Sequence, residues 1–151
     1  MGLGGFQYQL VGDGDQAYLK SVAEKYDVSE DVIFVGKLTH ERVFRWLDGV
    51  DIYIQPSRTE GLPRALIEAM SRGLPCLGAA VGGIPELLDE NCTFGKGSSR
   101  EIARLLASLT KSVMIDQAIK NFEKSRRYDR IALSEERRRF LEEFRSACRR
   151  G

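Results

Sequence analysis

The stretch that decides the fold is residues 51–75, which read D-I-Y-I-Q-P-S-R-T-E-G-L-P-R-A-L-I-E-A-M-S-R-G-L-P. Its apolar, β-prone run at 52–54 is typical of a short strand buried on both faces of a sheet. Pro56 ends that strand because proline cannot donate a hydrogen bond to the ladder. The polar residues 57–61 then predict a turn.

The second half of this stretch predicts a helix. Pro63 suits its first position, where a missing N–H costs nothing. Apolar residues recur from Leu66 at helical spacing, and Gly73 followed by Pro75 predicts the helix end. A strand, a turn and a helix in this order indicate a β/α unit of a parallel sheet.

The start of this helix is a candidate ligand site. A strand that delivers a turn into a helix leaves backbone N–H groups and the positive end of the helix dipole at one sheet edge, which favours phosphate. Arg58 and Arg64 flank the site with positive charge. Glu60 lies just before the helix and Glu68 about two turns into it. These carboxylates are suited to sugar hydroxyls; the residues alone leave open that Glu60 serves only the helix dipole and that Glu68 is a surface residue.

The pattern P-S-x-x-E-G-x-x-x-x-x-x-E-A-M-x-x-G-x-P over 56–75, followed by G-G-I-P-E at 82–86, resembles a known family. It is similar to the C-terminal, donor-nucleotide-binding domain of group 1 (family 4 type) retaining glycosyltransferases of the GT-B fold. The resemblance covers residues 8–109 and implies an α/β fold, with a Rossmann-like parallel sheet flanked by helices. It also implies a nucleotide-diphosphate sugar as ligand, and transfer of its sugar to an acceptor in polysaccharide or glycan biosynthesis.

The resemblance further implies a role for each matched residue. Glu60 would be the catalytic residue that contacts the donor sugar and orients its reacting carbon, and Glu68 would hold the ribose. The implied donor-binding residues are Gly36, Lys37, Leu38, Gly61, Leu62, Pro63, Arg64, Leu66 and Glu68. Lys37 and Leu38 would lie beside the nucleobase. Pro63 departs from the family, which often has glycine there, and so removes one amide donor.

The resemblance implies no metal and no other cofactor, because helix-end amides and basic side chains stabilise the departing diphosphate. Two alternatives remain open. The chain could come from a nucleotide-sugar epimerase of the same fold, or it could be a non-catalytic nucleotide-binding partner domain.

Length and composition bound the remaining possibilities. At 151 residues with 42% hydrophobic content, the chain predicts one domain over 1–151, with a core at about 6–110 and additional helices over 111–150. A formal net charge of +1 gives no argument for nucleic acid. No apolar run is long enough to span a membrane and no leader is visible. The three scattered cysteines indicate neither a disulfide framework nor a metal cluster, so we expect a cytoplasmic protein.

The resemblance also predicts what is missing. The family's domain opens with an additional strand and a loop that carries a basic pair, and an N-terminal acceptor domain precedes it. Neither is found in this sequence, so we expect a fragment that binds nucleotide weakly and transfers no sugar by itself.

Two further motifs have simpler interpretations. The string G-D-G-D-Q-A at 12–17 fits a dinucleotide-binding fingerprint, but Asp13 and Asp15 would repel a pyrophosphate, so we expect turn and capping chemistry there. His40 is the only histidine in the sequence and has no predicted nucleophile beside it, which favours a surface position.

The end of the chain is basic and helical. Residues 120–151 carry eleven Lys and Arg against six Asp and Glu. Its apolar residues recur at helical spacing, which favours a solvated or interdomain face over the alternative, peripheral contact with an anionic membrane.

Overall fold

The structure is a computed structural model, and it describes residues 5–148. Strands and helices alternate along most of the chain. The strands are β1 Tyr8–Val11, β2 Val32–Gly36, β3 Tyr53–Gln55, β4 Cys76–Ala79 and β5 Thr93–Phe94. The helices are α1 Ala17–Lys25, α2 His40–Leu47, α3 Arg64–Ser71, α4 Ile84–Leu87, α5 Ser99–Ser108, α6 Lys111–Ser125 and α7 Arg130–Cys148.

Every strand pairing between described residues is parallel. Strand β1 pairs with β2, and β4 lies between β3 and β5. The chain divides into two compact units between Trp46 and Leu47, with the first pair of strands in one unit and the three-stranded sheet in the other. The predicted Rossmann-like class of parallel strands flanked by helices is confirmed.

The hydrophobic core lies in the second unit. Strand β4 is buried along its whole length, and helix α3 packs against α6. Burial of a leucine or methionine side chain contributes about 1.5–3 kcal/mol each. The largest fully buried side chains are Leu47, Leu66, Met70, Leu77, Ile84, Leu87 and Cys76. These side chains hold α3, and with it the turn at its start, on the sheet.

Helix α3 ends where the sequence predicts. Gly73 has a φ of +69°, a left-handed conformation that glycine adopts without steric cost. Its N–H donates to the carbonyl of Met70 at 3.0 Å, and that of Leu74 donates to Ala69 at 3.3 Å. This is the Schellman pattern. The carbonyl of Leu74 then accepts a 2.8 Å bond from the buried side chain of Asn121, which ties the helix end to α6.

Two element boundaries differ from prediction by one residue. Pro63 is the residue before the first turn of α3 and not its first helical residue, because its ψ of 88° is not helical. Its carbonyl still accepts the first helical bond, from Ile67 at 3.2 Å. The strand before it is 53–55 and not 52–54, which places Gln55 inside the sheet.

The first unit is less buried than the sequence predicts. Among described residues 5–46, Ala23 is the only buried hydrophobic residue. The apolar residues Phe44, Trp46, Leu47 and Val50 predict a large buried face for α2. Leu47 is buried, but Phe44 and Trp46 are only half-buried. The indole N–H of Trp46 donates to Gln9 Oε1 at 2.6 Å. The polar atom of this half-buried ring is therefore satisfied by a side chain of β1.

The C-terminal segment is helical, as predicted. Helix α7 exposes its apolar side chains, among them Phe140, Leu141 and Phe144. None of the helices in the described part of the chain is both long and apolar enough to cross a membrane.

Candidate functional site

The carboxylate of Glu60 is held by two side chains that precede it. Gln55 Nε2 donates to Glu60 Oε1 at 2.8 Å, and Ser57 Oγ donates to the same oxygen at 2.6 Å. All three residues are half-buried. Within residues 5–148, no hydrogen bond is found on the second oxygen, Oε2. Glu60 is therefore fastened through one oxygen while the other is open to a ligand.

The direction of each bond in this network follows from the groups involved. A carboxylate only accepts, so the Ser57 hydroxyl must donate to it and can in turn accept the 2.8 Å bond from Gln55 Nε2. The amide of Gln55 thereby uses both of its hydrogens, and its Oε1 accepts from the hydroxyl of Tyr53. Tyr53 and Gln55 share one face of β3 because alternate strand residues point the same way.

The backbone of the same turn is held from the other side by the loop that precedes α4. The N–H of Gly83 donates to the carbonyl of Gly61 at 3.0 Å. A Cβ atom on Gly82 would lie 1.8 Å from the carbonyl oxygen of Glu60, and the φ of Gly82 is +52°. The absence of side chains at Gly82 and Gly83 therefore permits the close approach of this loop to the turn.

The start of α3 presents unpaired backbone donors. No side chain caps the helix at Pro63. Arg64 and Ala65 are exposed, and their N–H groups precede the first amide that finds a helical acceptor, that of Ile67. Arg58 is exposed in the turn before them. The helix end thus combines free amides, the positive end of the dipole and basic side chains, a combination suited to an anion.

Two predicted donor-binding residues of α3 face different surroundings. Glu68 is half-buried, and its backbone carbonyl accepts a 2.7 Å bond from Ser71 Oγ. Leu66, in contrast, is 0% exposed and belongs to the core. Because Leu66 has no surface for a ligand, we assign it a structural role and leave it out of the site proposed below.

A comparison with protein families assigns the chain to a family. The family model for group 1 glycosyl transferases matches residues 3–112, and these residues include β3, the Glu60 turn and α3. The chain belongs to the group 1 glycosyltransferases. Its relatives support the same assignment. It is 36% identical over 118 residues to the amylovoran biosynthesis glycosyltransferase AmsK of Erwinia amylovora, covering 72% of this chain and 29% of AmsK.

Other comparisons agree. Protein CapJ of Staphylococcus aureus is 32% identical over 112 residues, which are 74% of this chain and 28% of CapJ. The fold matches a crystal structure of Anabaena Alr3699/HepE in complex with UDP, with a TM-score of 0.81 at 22% identity over 91% of this chain and 41% of HepE. This glycosyltransferase chain therefore spans less than a third of the length of CapJ and AmsK.

The remaining predicted donor residues of the glycosyltransferase lie in the first unit. Gly36 ends β2, and its carbonyl accepts from the N–H of Gly12 at 3.0 Å. Lys37 Nζ lies 2.8 Å from Asp13 Oδ2, and both side chains are exposed. The hydrogen bond from Lys37 lowers the pKa of Asp13, and the same bond raises the pKa of Lys37. Leu38 is half-buried.

Of the two aspartates in the loop at 12–17, Asp15 makes the predicted turn contact, whereas Asp13 pairs with Lys37. Asp15 Oδ1 accepts from the N–H of Ala17 at 2.8 Å and so serves the start of α1. His40 is exposed, also as predicted, and packs edge-on against Phe44 at 4.9 Å between ring centroids.

The candidate site contains two residues that were not among the predicted site residues, Gln55 and Ser57, although Ser57 belongs to the P-S-x-x-E-G pattern. In the sequence, Gln55 follows the predicted strand and Ser57 opens the predicted turn. A signal was present, because Tyr53, Gln55 and Ser57 alternate in a run that leads to Glu60. Both side chains reach the same oxygen of Glu60 because the turn reverses the direction of the chain. The alternation of residues along the strand does not by itself predict this reversal.

Proposed function

We propose that this chain binds a nucleotide-diphosphate sugar through the Glu60 turn and helix α3, as the donor-binding half of a retaining glycosyltransferase. The single observation that carries the proposal is the Glu60 carboxylate, fastened at Oε1 and open at Oε2, beside the uncapped start of α3. A polar acceptor for sugar hydroxyls and a site for phosphate thus lie within one strand–turn–helix unit.

The relatives support this choice of ligand. Structures of HepE contain UDP, UDP-glucose, or UDP and glucose. Similar proteins are named for the biosynthesis of amylovoran, Vi polysaccharide and colanic acid. We extend these properties to the present chain as substrate class and pathway class: a nucleotide-diphosphate sugar, used to assemble a polysaccharide or glycan in the cytoplasm.

The proposed chemistry assigns one task to each group. Oε2 of Glu60 accepts a hydrogen bond from a hydroxyl of the donor sugar and so orients the reacting carbon. The amides of Gly61, Leu62 and Arg64, with the guanidinium of Arg64, meet the phosphates. They stabilise the negative charge that develops on the departing diphosphate, without a metal. The carboxylate of Glu68 accepts hydrogen bonds from the two ribose hydroxyls. Pro63 shapes the start of α3 and donates nothing.

A separate proposal concerns the residues of the first unit and further partners of the chain. Gly36, Lys37 and Leu38 contact the nucleobase, as the family resemblance implies. A second, N-terminal domain of the same enzyme binds the acceptor. For the C-terminal helix α7 we propose contact with another domain or, as the alternative, with the surface of a membrane. This is supported by the exposed apolar side chains of α7 in a segment of net positive charge.

A ¹⁵N–¹H NMR titration with UDP, GDP and ADP tests donor binding, because this method detects weak complexes. We expect saturable shifts with one nucleotide at the amides of Gly61, Leu62, Arg64 and Glu68. Shifts at 36–38 with the same midpoint would support the base contact. If none of the three nucleotides causes saturable shifts, the proposed function is contradicted. Product analysis on the complete enzyme then separates sugar transfer from epimerisation.

A further inference from the structure

We propose that Gln55 and Ser57 are positioning residues that determine how strongly the site binds the sugar of its donor, as distinct from the nucleotide. They fasten Oε1 of Glu60 at 2.8 and 2.6 Å and so aim Oε2 at the ligand. This inference rests on the proposed function, because it assigns a purpose to the Glu60 contact with the sugar.

The first argument is conformational entropy. A glutamate side chain with free rotamers loses conformational entropy when a ligand orders it, and this loss weakens binding. Here the carboxylate is ordered by two donors before any ligand arrives. The donor sugar then meets an acceptor already in place, and preorganisation of this kind raises affinity and improves orientation.

The second argument is the completeness of the network. Both N–H groups of the Gln55 amide are used, one on Ser57 and one on Glu60. The Ser57 hydroxyl has its single hydrogen on Glu60. Tyr53 satisfies the Gln55 carbonyl oxygen and thereby sets the orientation of the amide. Because both donors of the network end on Oε1 of Glu60, they fix the orientation of the carboxylate through that one oxygen.

The network could instead serve only to fold the turn, and the two purposes predict different measurements. A positioning role acts through Glu60 and therefore through the sugar. A folding role would disturb the whole turn, including the helix-end amides that meet the phosphates. The discriminating quantity is the change in affinity for a nucleotide sugar relative to that for the nucleotide diphosphate alone.

The test compares dissociation constants for UDP-glucose and UDP, or for the GDP or ADP pair if the titration selects that base. We expect Ser57→Ala and Gln55→Leu each to weaken binding of the nucleotide sugar about tenfold and to change binding of the nucleotide diphosphate less than about twofold. Ser57→Thr, which keeps the hydroxyl, should retain most of the sugar-dependent affinity. Ser108→Ala is a matched control, since that hydroxyl bonds only a carbonyl of its own helix, at 2.7 Å.

A double-mutant cycle with Glu60→Ala completes the test. If Ser57 acts through Glu60, Ser57→Ala should cause no further loss in the Glu60→Ala background. Equal losses for both ligands, or a loss that persists without Glu60, would overturn the inference in favour of a folding role. An unchanged affinity in Ser57→Ala and Gln55→Leu would overturn it as well. If the unmodified chain binds neither ligand, the proposed function itself fails, and the positioning role falls with it.

Discussion

At the scale of single residues, Glu68 carries the most direct test of the ribose contact. Glu68→Ala should weaken nucleotide binding about tenfold, because a carboxylate that accepts two hydroxyls forms charge-assisted hydrogen bonds. NMR or calorimetric titration measures this change. The matched control is Glu123→Ala, an exposed residue of α6, which should leave the affinity unaltered. An unaltered affinity in Glu68→Ala itself would remove the ribose assignment.

Burial also determines the chemistry of two cysteines, Cys76 and Cys92. Cys76 was expected to be an ordinary reduced thiol, and it is 0% exposed in the core. Burial raises its pKa, since the thiolate would lose its hydration. Cys92 is also buried, and burial raises its pKa too. Neither has the exposed, electropositive surroundings of a reactive cysteine.

At the scale of elements, the contact between the Gly82 loop and the Glu60 turn is the connection on which the site depends. Gly82→Ala would place a Cβ atom 1.8 Å from the carbonyl oxygen of Glu60, so one of the two loops must move. We expect a lower unfolding midpoint in urea and weaker binding of the nucleotide sugar. Circular dichroism and the titration described above measure these effects.

A second glycine separates this clash from backbone strain. Gly97 has a comparable left-handed φ of +75°, but nothing lies within 4 Å of an added Cβ. Gly97→Ala should therefore carry only the conformational cost, about 1–2 kcal/mol. If Gly82→Ala destabilised the chain no more than Gly97→Ala, the close approach would have no energetic importance.

At the scale of the whole molecule, burial is uneven along the chain, and so should be the protection of its amides. Strand β4 is buried throughout, whereas the described residues 5–46 contain one buried hydrophobic residue, Ala23. Amide hydrogens exchange fastest where few apolar contacts hold the backbone. We expect the amides of β4 to exchange much more slowly than those of β1 and β2, as measured by hydrogen–deuterium exchange. Equal protection in all three strands would instead indicate the single cooperative domain that the chain length predicts.

Much of the fold could be predicted because its signals are local. The end of α3 is encoded in Gly73 alone, since only glycine takes the required φ at no cost. Predicted strand and helix positions differ from the structure by a few residues, because their ends depend on hydrogen-bond partners elsewhere in the chain. The hydrogen bond from the Trp46 indole to Gln9 was not predictable, because the two residues lie far apart in the sequence.

The candidate site, like the fold, was predictable only in part. Its family and its two glutamates were recognisable because residue types at set spacing recur wherever the same ligand chemistry is needed, and the family match over residues 3–112 confirms the family. The sequence by itself determined the class of fold, the position of the helix start that is the candidate anion site, and the candidate residues. Only the tertiary structure decided which oxygen of Glu60 is fastened, that Gly82 must lack a side chain, and that Leu66 belongs to the core. The physical reason is that these properties depend on atoms brought together by chain reversal, and a distance between such atoms is not a property of any one segment.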